Sequence, residues 1–386
     1  MDKTILNHNY RNQQPNILAT FCAKAARLNG IIDLSIGDPD FTTPKEIIKE
    51  AFQQANKGMT HYSDTVGLKS FRNTICDYYQ KQYDLNFNSS EVLITTGAEH
   101  GMYILLQAIL EPGDEVIIPE PCFSPYIDQV EMAGAHAIMA PTSGNDDFKV
   151  HSSQIAKMIT TKTKAIIINS PNNPTGDVMD DEEMKELAQL AKDNNLLLIS
   201  DEIYADYIMP GHHFTPLAAY APSNTVTING MSKSFAMTGW RIGYMIGPSW
   251  LLKGAQAVND AITFAAPTIS QVAAEYALKY HDKISQPITK ELLRRLQFLE
   301  KEINALKKFK VSPIGGSIYA FVDIRQTRLS SLEFANQLLN REKVLVIPGI
   351  AFGNSGEGFV RVAATQKMSV LKEVIKRLQH FEMQLS

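Results

Sequence analysis

The amino-acid sequence predicts an α/β fold: a large domain with a mostly parallel sheet flanked by helices, plus a smaller α+β domain. Two observations carry this prediction. Short runs rich in Ile, Leu and Val alternate with helical patterns through the middle of the chain, and the pattern changes to a strand–helix mixture in the C-terminal quarter. Strands that are apolar on both faces and separated by helices are typical of parallel sheets covered on both sides.

Five apolar runs are predicted to be strands of the large sheet: Glu91–Thr96, Glu115–Pro119, Lys164–Ser170, Asn195–Ser200 and Asn224–Asn229. Helical patterns lie between them, as at Glu99–Leu110 and Asp181–Lys192. Apolar residues then recur at helical spacing from Ile288 to Leu306, which predicts one long amphipathic helix. We therefore expect a large domain over residues 45–285, and a small domain formed by residues 1–44 together with 286–386.

Composition and charge narrow the classes of function. The chain has 386 residues, of which 44% are hydrophobic and 20% charged, and a net charge of −4, as expected for a globular protein with a sizeable core. No block of five like charges is present, so we expect no nucleic-acid or membrane partner. The start of the chain lacks the apolar segment of a signal peptide, and a cytoplasmic location is expected.

The cysteines and histidines do not suggest a metal site. Cys22, Cys76 and Cys122 are widely spaced and odd in number, which favours reduced thiols over a disulfide framework. The nine histidines show no metal-ligand spacing. We therefore expect no bound metal.

Polar or glycine-containing turns follow four of the predicted strands. These turns begin with Gly97-Ala98-Glu99, with the loop PNNPTG, with Asp201-Glu202-Ile203-Tyr204, and with the stretch GMSKS that contains Lys233. Each turn alone is an ordinary loop. Because ligands of parallel sheets bind outside the carboxyl ends of the strands, the four turns together predict one site.

One end of this site is suited to a phosphate group. Backbone N–H groups at Gly97, Ala98 and Glu99 stand at a helix start, where unpaired donors and the helix dipole favour an anion. Arg241 could add a bidentate, charge-assisted contact.

The other turns offer groups for an aromatic ring. Asp201 could keep a pyridine nitrogen protonated, and the amide of Asn173 and the phenol of Tyr204 could bond a ring hydroxyl. Phe123 offers an aromatic face, and the amine of Lys233 could form an imine with an aldehyde. A ring with a phosphate, a basic nitrogen, a hydroxyl and an aldehyde is pyridoxal phosphate.

Eight motifs along the chain resemble those of one enzyme family. They are LSIGDPDF, HYSDTVGLKSFR, TTGAEHGMY, PGDEVIIPEPCFSPY, NSPNNPTG, SDEIYADY, SKSFAMTGWRIGY and GEGFVRVA, in family order from residue 34 to residue 363. The chain resembles the fold type I pyridoxal-phosphate-dependent aminotransferases, in the subgroup of bacterial aspartate and aromatic aminotransferases. The resemblance implies a transaminase that transfers an amino group between an L-amino acid and a 2-oxo acid by a ping-pong mechanism.

The resemblance also implies a role for each cofactor-binding residue. Lys233 would be the Schiff-base lysine and proton shuttle, and Asp201 would pair with the ring nitrogen. Asn173 and Tyr204 would contact the ring oxygen. Arg241, Ser232 and the backbone N–H groups of Gly97, Ala98 and Glu99 would bind the phosphate.

Further roles concern the substrate and a second subunit. Arg361 would bind the substrate α-carboxylate, with help from Asn173 and the backbone of Gly37. Tyr62 would reach the phosphate of the neighbouring subunit's cofactor, which implies a homodimer with shared active sites.

The resemblance leaves the substrate side chain open. Aspartate-specific relatives typically have a lysine at the position of Glu99, so a glutamate there favours aromatic or other non-acidic donors, with 2-oxoglutarate as acceptor. Aspartate and N-acetyl-diaminopimelate remain alternatives, and a carbon–sulfur β-lyase is a further one. The stretch PIGGSIY also departs in length from the family pattern near the substrate.

Overall fold

The computed structural model describes residues 5–6, 11, 17–25 and 27–385. The remainder of the N-terminal stretch assigned to the small domain lies outside the described residues, as does the side chain of Cys22. Cys76 and Cys122 are free thiols. No helix in the described part of the chain is both long and apolar enough to cross a membrane.

A seven-stranded sheet forms the centre of the molecule. Its strands in chain order are β2 (Val92–Thr95), β3 (Glu115–Glu120), β4 (His136–Pro141), β5 (Thr163–Asn169), β6 (Leu197–Asp201), β7 (Thr225–Gly230) and β8 (Gly243–Ile246). Their spatial order is β2-β8-β7-β6-β5-β3-β4. Only β8 runs antiparallel to its neighbours, so the predicted mostly parallel α/β sheet is confirmed.

The five predicted strands are all present, with ends that differ by at most two residues. Two strands were not predicted. β4 is an edge strand that is mostly half-buried, and its apolar run covers only the four residues between His136 and Pro141. β8 has four residues and begins with Gly243, where a Cβ would stand 2.7 Å from the backbone nitrogen of Ala98. Because the backbone of Ala98 lies so close, this position requires glycine. Glycine has a low β propensity, so the sequence did not indicate a strand here.

Helices cover both faces of the sheet, so alternate strand residues enter two different cores. On one face, Ile118, Ile167 and Ile199 pack with helices α4 (Ala98–Ile109), α5 (Pro125–Met132) and α8 (Ser249–Ile262). On the other face, Ile117 and Ile166 pack with α7 (Asp181–Asp193). The remaining helices of this part are α2 (Lys45–Asn56), α3 (Lys69–Tyr83), α6 (Ser152–Ala156) and α9 (Thr268–Lys279).

The C-terminal part contains a four-stranded antiparallel sheet of β9 (Lys310–Val311), β10 (Tyr319–Asp323), β12 (Ile347–Pro348) and β13 (Phe359–Ala363). Their spatial order is β12-β13-β10-β9. The separate strand β11 (Val344–Leu345) pairs in parallel with β1 (Ile32–Asp33) near the N-terminus. The helices around them are α1 (Ile17–Ala25), α10 (His281–Asn304), α11 (Ser331–Glu342) and α12 (Met368–Gln384).

Helix α10 begins earlier than its apolar pattern indicates. The pattern predicts a start at Ile288, whereas the helix starts at His281 and includes Pro287. The proposed domain boundary after residue 285 therefore falls inside this helix, and the division into two domains stays a prediction. Phe21 and Leu34 share a core with β10 and β13, in agreement with an N-terminal segment that packs on the C-terminal part.

Candidate active site

A cavity of about 380 Å³ lies at the carboxyl ends of β5, β6 and β7, where the four polar turns meet. Asn169 ends β5, Asp201 ends β6, and Lys233 follows β7 by three residues. The N-terminal segment at residues 35–38, Tyr319 of β10 and Arg361 of β13 complete the lining. Eleven of the predicted site residues line it: Gly37, Ala98, Glu99, Phe123, Asn173, Asp201, Tyr204, Ser232, Lys233, Arg241 and Arg361.

Asp201 is a buried carboxylate with fixed geometry. One oxygen accepts a hydrogen bond from the Tyr126 hydroxyl at 2.6 Å, and the other accepts from the backbone N–H of Ile203 at 3.1 Å. Burial raises the pKa of Asp201, while the hydrogen bonds and the nearby Lys233 oppose that rise. A cationic ring nitrogen would complete the charge balance of this carboxylate.

Lys233 projects its amine into the cavity. The Nζ atom donates to the carbonyl of Gly37 at 2.6 Å. The carbonyl of Lys233 itself accepts from the Tyr207 hydroxyl at 2.8 Å, which fixes the main chain beneath the side chain. The amine is therefore held beside the cavity rather than at the outer surface.

Arg361 lies on β13 with only 3% of the residue exposed. Its guanidinium donates to Asn173 Oδ1 at 2.8 Å and to the carbonyl of Ser35, and it stacks 4.3 Å from the centre of the Tyr319 ring. Its Nε is buried and lacks a hydrogen-bond partner among the described residues. An unpaired donor on a buried cation is costly, so a carboxylate bound in this cavity would remove that cost.

Gly97 and Arg241 form a cradle at the start of α4. Gly97 has φ of 89°, a conformation that favours glycine, and a Cβ there would stand 2.9 Å from Nη2 of Arg241, so the guanidinium lies close against the main chain. The first N–H groups of a helix have no intrahelical partner. Together with the guanidinium they fit a phosphate.

Tyr204 bonds to a tyrosine from the C-terminal part. Its hydroxyl lies 3.1 Å from that of Tyr319. Burial, followed by the adjacent Tyr319, raises the pKa of Tyr204 well above 10, so this phenol stays protonated at neutral pH and can donate a hydrogen bond. Phe123 lies edge-on to Tyr126, with ring centres 5.5 Å apart.

Two predicted site residues do not line the cavity. Gly97 lies just outside it, in contact with Arg241. Tyr62 is 86% exposed, and its ring lies edge-on to that of Phe264, with centres 5.1 Å apart. A contact between Tyr62 and a cofactor would thus require a second subunit.

Several lining residues were not predicted. Tyr126 bonds Asp201 from 75 positions away, and Asn169 donates to the carbonyl of Asp201 at 3.0 Å. Both follow or end predicted strands, so a search of every strand end for polar side chains would have found them. The other unpredicted lining residues are Ser35, Ile36, Asp38, Met102, Pro125, Gln129, Ile203, Thr238 and Tyr319.

The residues present fit pyridoxal phosphate on their own chemistry. The cavity combines a buried carboxylate for the ring nitrogen, an anion cradle at a helix start, a lysine amine and an aromatic face. The buried and unpaired Nε of Arg361 leaves a donor for the carboxylate of a second ligand.

Comparison with known proteins points to the same chemistry. The sequence profile of the family "Aminotransferase class I and II" matches residues 29–378. The chain is 35% identical over 358 residues to an aspartate aminotransferase of Pyrococcus horikoshii, covering 92% of each protein. It is 34% identical over 362 residues to aromatic-amino-acid aminotransferase 2 of Thermococcus litoralis, covering 92% of each.

Solved structures agree with these relatives. The crystal structure of an aromatic aminotransferase from Pyrococcus horikoshii has a TM-score of 0.90 and 34% identity, covering 95% of this chain and 100% of that one. Fold, cavity and sequence thus all agree with the resemblance read from the eight motifs. The chain belongs to the class I and II aminotransferases, and it is a pyridoxal-phosphate-dependent enzyme of that family.

Proposed function

We propose that Lys233, Asp201 and Arg361 carry the transamination in this enzyme. The observation that supports this assignment is their convergence in one cavity from β6, the turn after β7 and β13. When bound, pyridoxal phosphate supplies an aldehyde that bonds covalently to amines and a ring that accepts electrons released at the substrate α-carbon.

Each residue has a separate task in this proposal. The amine of Lys233 would hold the cofactor covalently and, once the amino-acid substrate has displaced it, would take the proton from the substrate α-carbon. Asp201 would keep the ring nitrogen protonated, and Tyr126 fixes the orientation of that carboxylate. Arg361 binds the substrate α-carboxylate with Asn173 beside it.

The phosphate and ring are held by the remaining residues of the site. We assign the phosphate to Arg241, Ser232 and the N–H groups that follow Gly97. The ring oxygen is assigned to Asn173 and Tyr204, and one ring face to Phe123. These residues would hold the cofactor in the cavity that Lys233 also lines.

We further propose that the donor amino acid has an aromatic or other non-acidic side chain and that 2-oxoglutarate is the acceptor. Glu99 lines the cavity, where its negative charge would repel a distal carboxylate. Ile36, Met102 and Phe123 supply apolar surface to the same cavity. A panel of amino donors with 2-oxoglutarate as acceptor tests this choice, and a preference for aspartate over phenylalanine and tyrosine would contradict it.

Replacing Glu99 with lysine should shift this preference toward aspartate. We expect the ratio of kcat/KM for aspartate to that for phenylalanine to rise by roughly tenfold or more, which corresponds to about 1.4 kcal/mol. Glu131→Lys is the matched control, because Glu131 is exposed on α5 and does not line the cavity. An equal effect of both substitutions would show that overall charge, and not Glu99, sets the preference.

We also propose a cytoplasmic homodimer in which Tyr62 reaches the cofactor phosphate of the partner subunit. The exposure of Tyr62 and of Phe264, 86% and 45%, supports an interface at this surface. Large exposed aromatic side chains of this kind are enriched at protein–protein interfaces.

Tyr62→Phe should weaken cofactor binding and leave the dimer intact. The ring contact with Phe264 is kept while one hydrogen bond to a charged group is lost, so we expect roughly a tenfold rise in the cofactor dissociation constant. Light scattering gives the mass of the assembly, and dialysis followed by absorbance gives the dissociation constant of the cofactor. Tyr280→Phe removes another part-exposed hydroxyl outside the cavity and should change neither. A monomeric wild-type protein with full activity would contradict the shared site.

A further inference from the structure

An ion pair lies behind the segment that carries Lys233, outside the lining of the cavity. Nε2 of His281 is 2.9 Å and 3.0 Å from the two carboxylate oxygens of Asp206. Ser285 and Tyr78 also donate to this carboxylate, at 3.3 Å and 3.4 Å. Only 12% of the His281 side chain and 15% of the Asp206 side chain are exposed, so water screens the pair weakly.

Two residues connect this ion pair to Lys233: Ser234, which follows Lys233 in the chain, and Tyr207, which follows Asp206. The side chains of Ser234, Asp206 and His281 line one small pocket. Burial raises the pKa of Asp206, but hydrogen bonds from His281, Ser234 and Ser285 and the charge of His281 lower it overall. Tyr207, which follows Asp206 in the chain, donates to the carbonyl of Lys233 at 2.8 Å. Tyr207 therefore holds the main chain of Lys233, and Asp206 lies beside the side chain of Ser234.

The charge state of His281 follows from its two neighbours. Its second nitrogen, Nδ1, lies 3.0 Å from Asp282, which in turn pairs with Lys81 at 2.8 Å. A ring whose two nitrogens both face carboxylates can donate to both only as the imidazolium. Burial lowers the pKa of His281, but the bonds and charges of the two carboxylates raise it overall above 6.5.

The surroundings of His281 contain charges of both signs. The charged or titratable groups that line the two pockets beside the histidine are Asp77, Tyr78, Lys81, Glu202, Asp206, Tyr244, Glu275, Lys279, Tyr280, Asp282 and Lys283. Asp206 and Asp282 are the two that bond the ring directly. Loss of the proton from His281 would therefore remove its ion pairs with Asp206 and Asp282, and no other cation among the described residues pairs with Asp206.

We propose that Asp206 and His281 are positioning residues for the catalytic lysine: the ion pair fixes Ser234 and thereby aims the Lys233 amine into the cavity. The inference rests on the proposed role of Lys233 and assigns a task to two residues that touch neither substrate nor cofactor. Small displacements of a reacting group can lower a rate by up to about a hundredfold, so a rigid support for the amine has a measurable effect.

The pair should make the enzyme sensitive to alkaline pH. A histidine whose folded pKa is raised contributes stability that is fully present below its unfolded pKa, about 6.5, and that is lost as the pH rises through the folded pKa. We therefore expect the free energy of unfolding of the wild type to fall over that window. In His281→Gln this part of the pH dependence should be absent.

The test compares His281→Gln, Ser234→Ala and the double variant, each as the cofactor-loaded enzyme. We expect each single variant to lower kcat about tenfold with KM changed by less than about twofold, and the double variant to lose no more than the singles. The alkaline limb of the kcat profile should shift in His281→Gln. His380→Gln is the matched control, since His380 pairs with Glu342 at 2.8 Å in the C-terminal part.

A second measurement does not depend on turnover. The rate at which added pyridoxal phosphate bonds to Lys233 in the apoprotein, followed by visible absorbance, should fall by a similar factor in both single variants. If His281→Gln does not fold, Ser234→Ala decides the matter, because it leaves the ion pair in place. Losses of kcat that multiply in the double variant, or an unchanged attachment rate, would overturn the inference.

The proposed role of Lys233 and the proposed positioning role of Asp206 and His281 can be refuted separately. A Lys233→Ala enzyme with normal activity would refute the proposed role of Lys233. An inactive Lys233→Ala enzyme together with wild-type rates for His281→Gln and Ser234→Ala would refute only the positioning role.

Discussion

Replacing Lys233 with alanine is expected to remove the absorbance band of the imine between the lysine and the cofactor and to lower kcat by about 10⁴-fold or more, the upper range for a positioned proton-transfer group. The variant lacks both the amine that bonds the aldehyde and the base that moves the α-proton. The amine now donates to the carbonyl of Gly37 at 2.6 Å, and this is the side-chain hydrogen bond that the substitution removes. We therefore expect a small change in melting temperature beside a large change in rate.

Absorbance spectra and single-turnover rates measure this prediction. Lys253→Ala is the control, because Lys253 is exposed on α8 and lies outside the cavity. Cofactor should still bind without a covalent bond, through the Arg241 cradle and Asp201. Retention of the wild-type spectrum and rate in Lys233→Ala would mean that another amine performs the chemistry.

Replacing Arg361 with glutamine is expected to lower kcat/KM for the amino-acid donor by roughly 10²- to 10³-fold, or about 2.7–4 kcal/mol. The guanidinium is the one cation that β13 brings into the cavity, and its Nε lacks a partner among the described residues. Loss of a charge-assisted, bidentate contact should weaken substrate binding and orientation together. The cofactor spectrum should be kept, because the assigned cofactor contacts lie elsewhere.

A substrate without a carboxylate separates this role from general damage. Wild-type enzyme should strongly prefer phenylalanine to phenethylamine, and Arg361→Gln should lose most of that preference. Arg361→Lys keeps the charge without the planar fork and should recover only part of it. Equal loss of activity toward both amines would show that Arg361 supports the fold around Asn173 and Ser35 instead.

The sequence alone predicted the parts of the fold that depend on local pattern. The apolar runs that became β3, β5, β6 and β7 are buried on both faces, and such strands carry a signal that needs no knowledge of neighbours. In β4 the apolar run is short and mostly half-buried, and in β8 it is limited to the three residues between Gly243 and Gly247. β8 is a strand because β2 and β7 lie on either side of it, and its first residue is Gly243 because the backbone of Ala98 lies against it.

The candidate site, like the fold, could be predicted only in part. Residues that end or follow strands, such as Asp201 and Lys233, could be placed at one edge because parallel strands share their polarity. The partners of those residues could not be placed, since they come from distant parts of the chain. Tyr126 and Asp201 are 75 positions apart, and so are Asp206 and His281.

Sequence by itself therefore determined the class of fold, the cofactor chemistry and the residues at the strand ends. Only the tertiary structure decided which groups orient them: Tyr126 against Asp201, Tyr319 against Tyr204, and the Asp206–His281 pair behind Lys233. The physical reason is that periodicity and turn chemistry act between near neighbours in the chain. Hydrogen bonds and ion pairs between distant residues form only where packing brings the side chains within about 3 Å of each other.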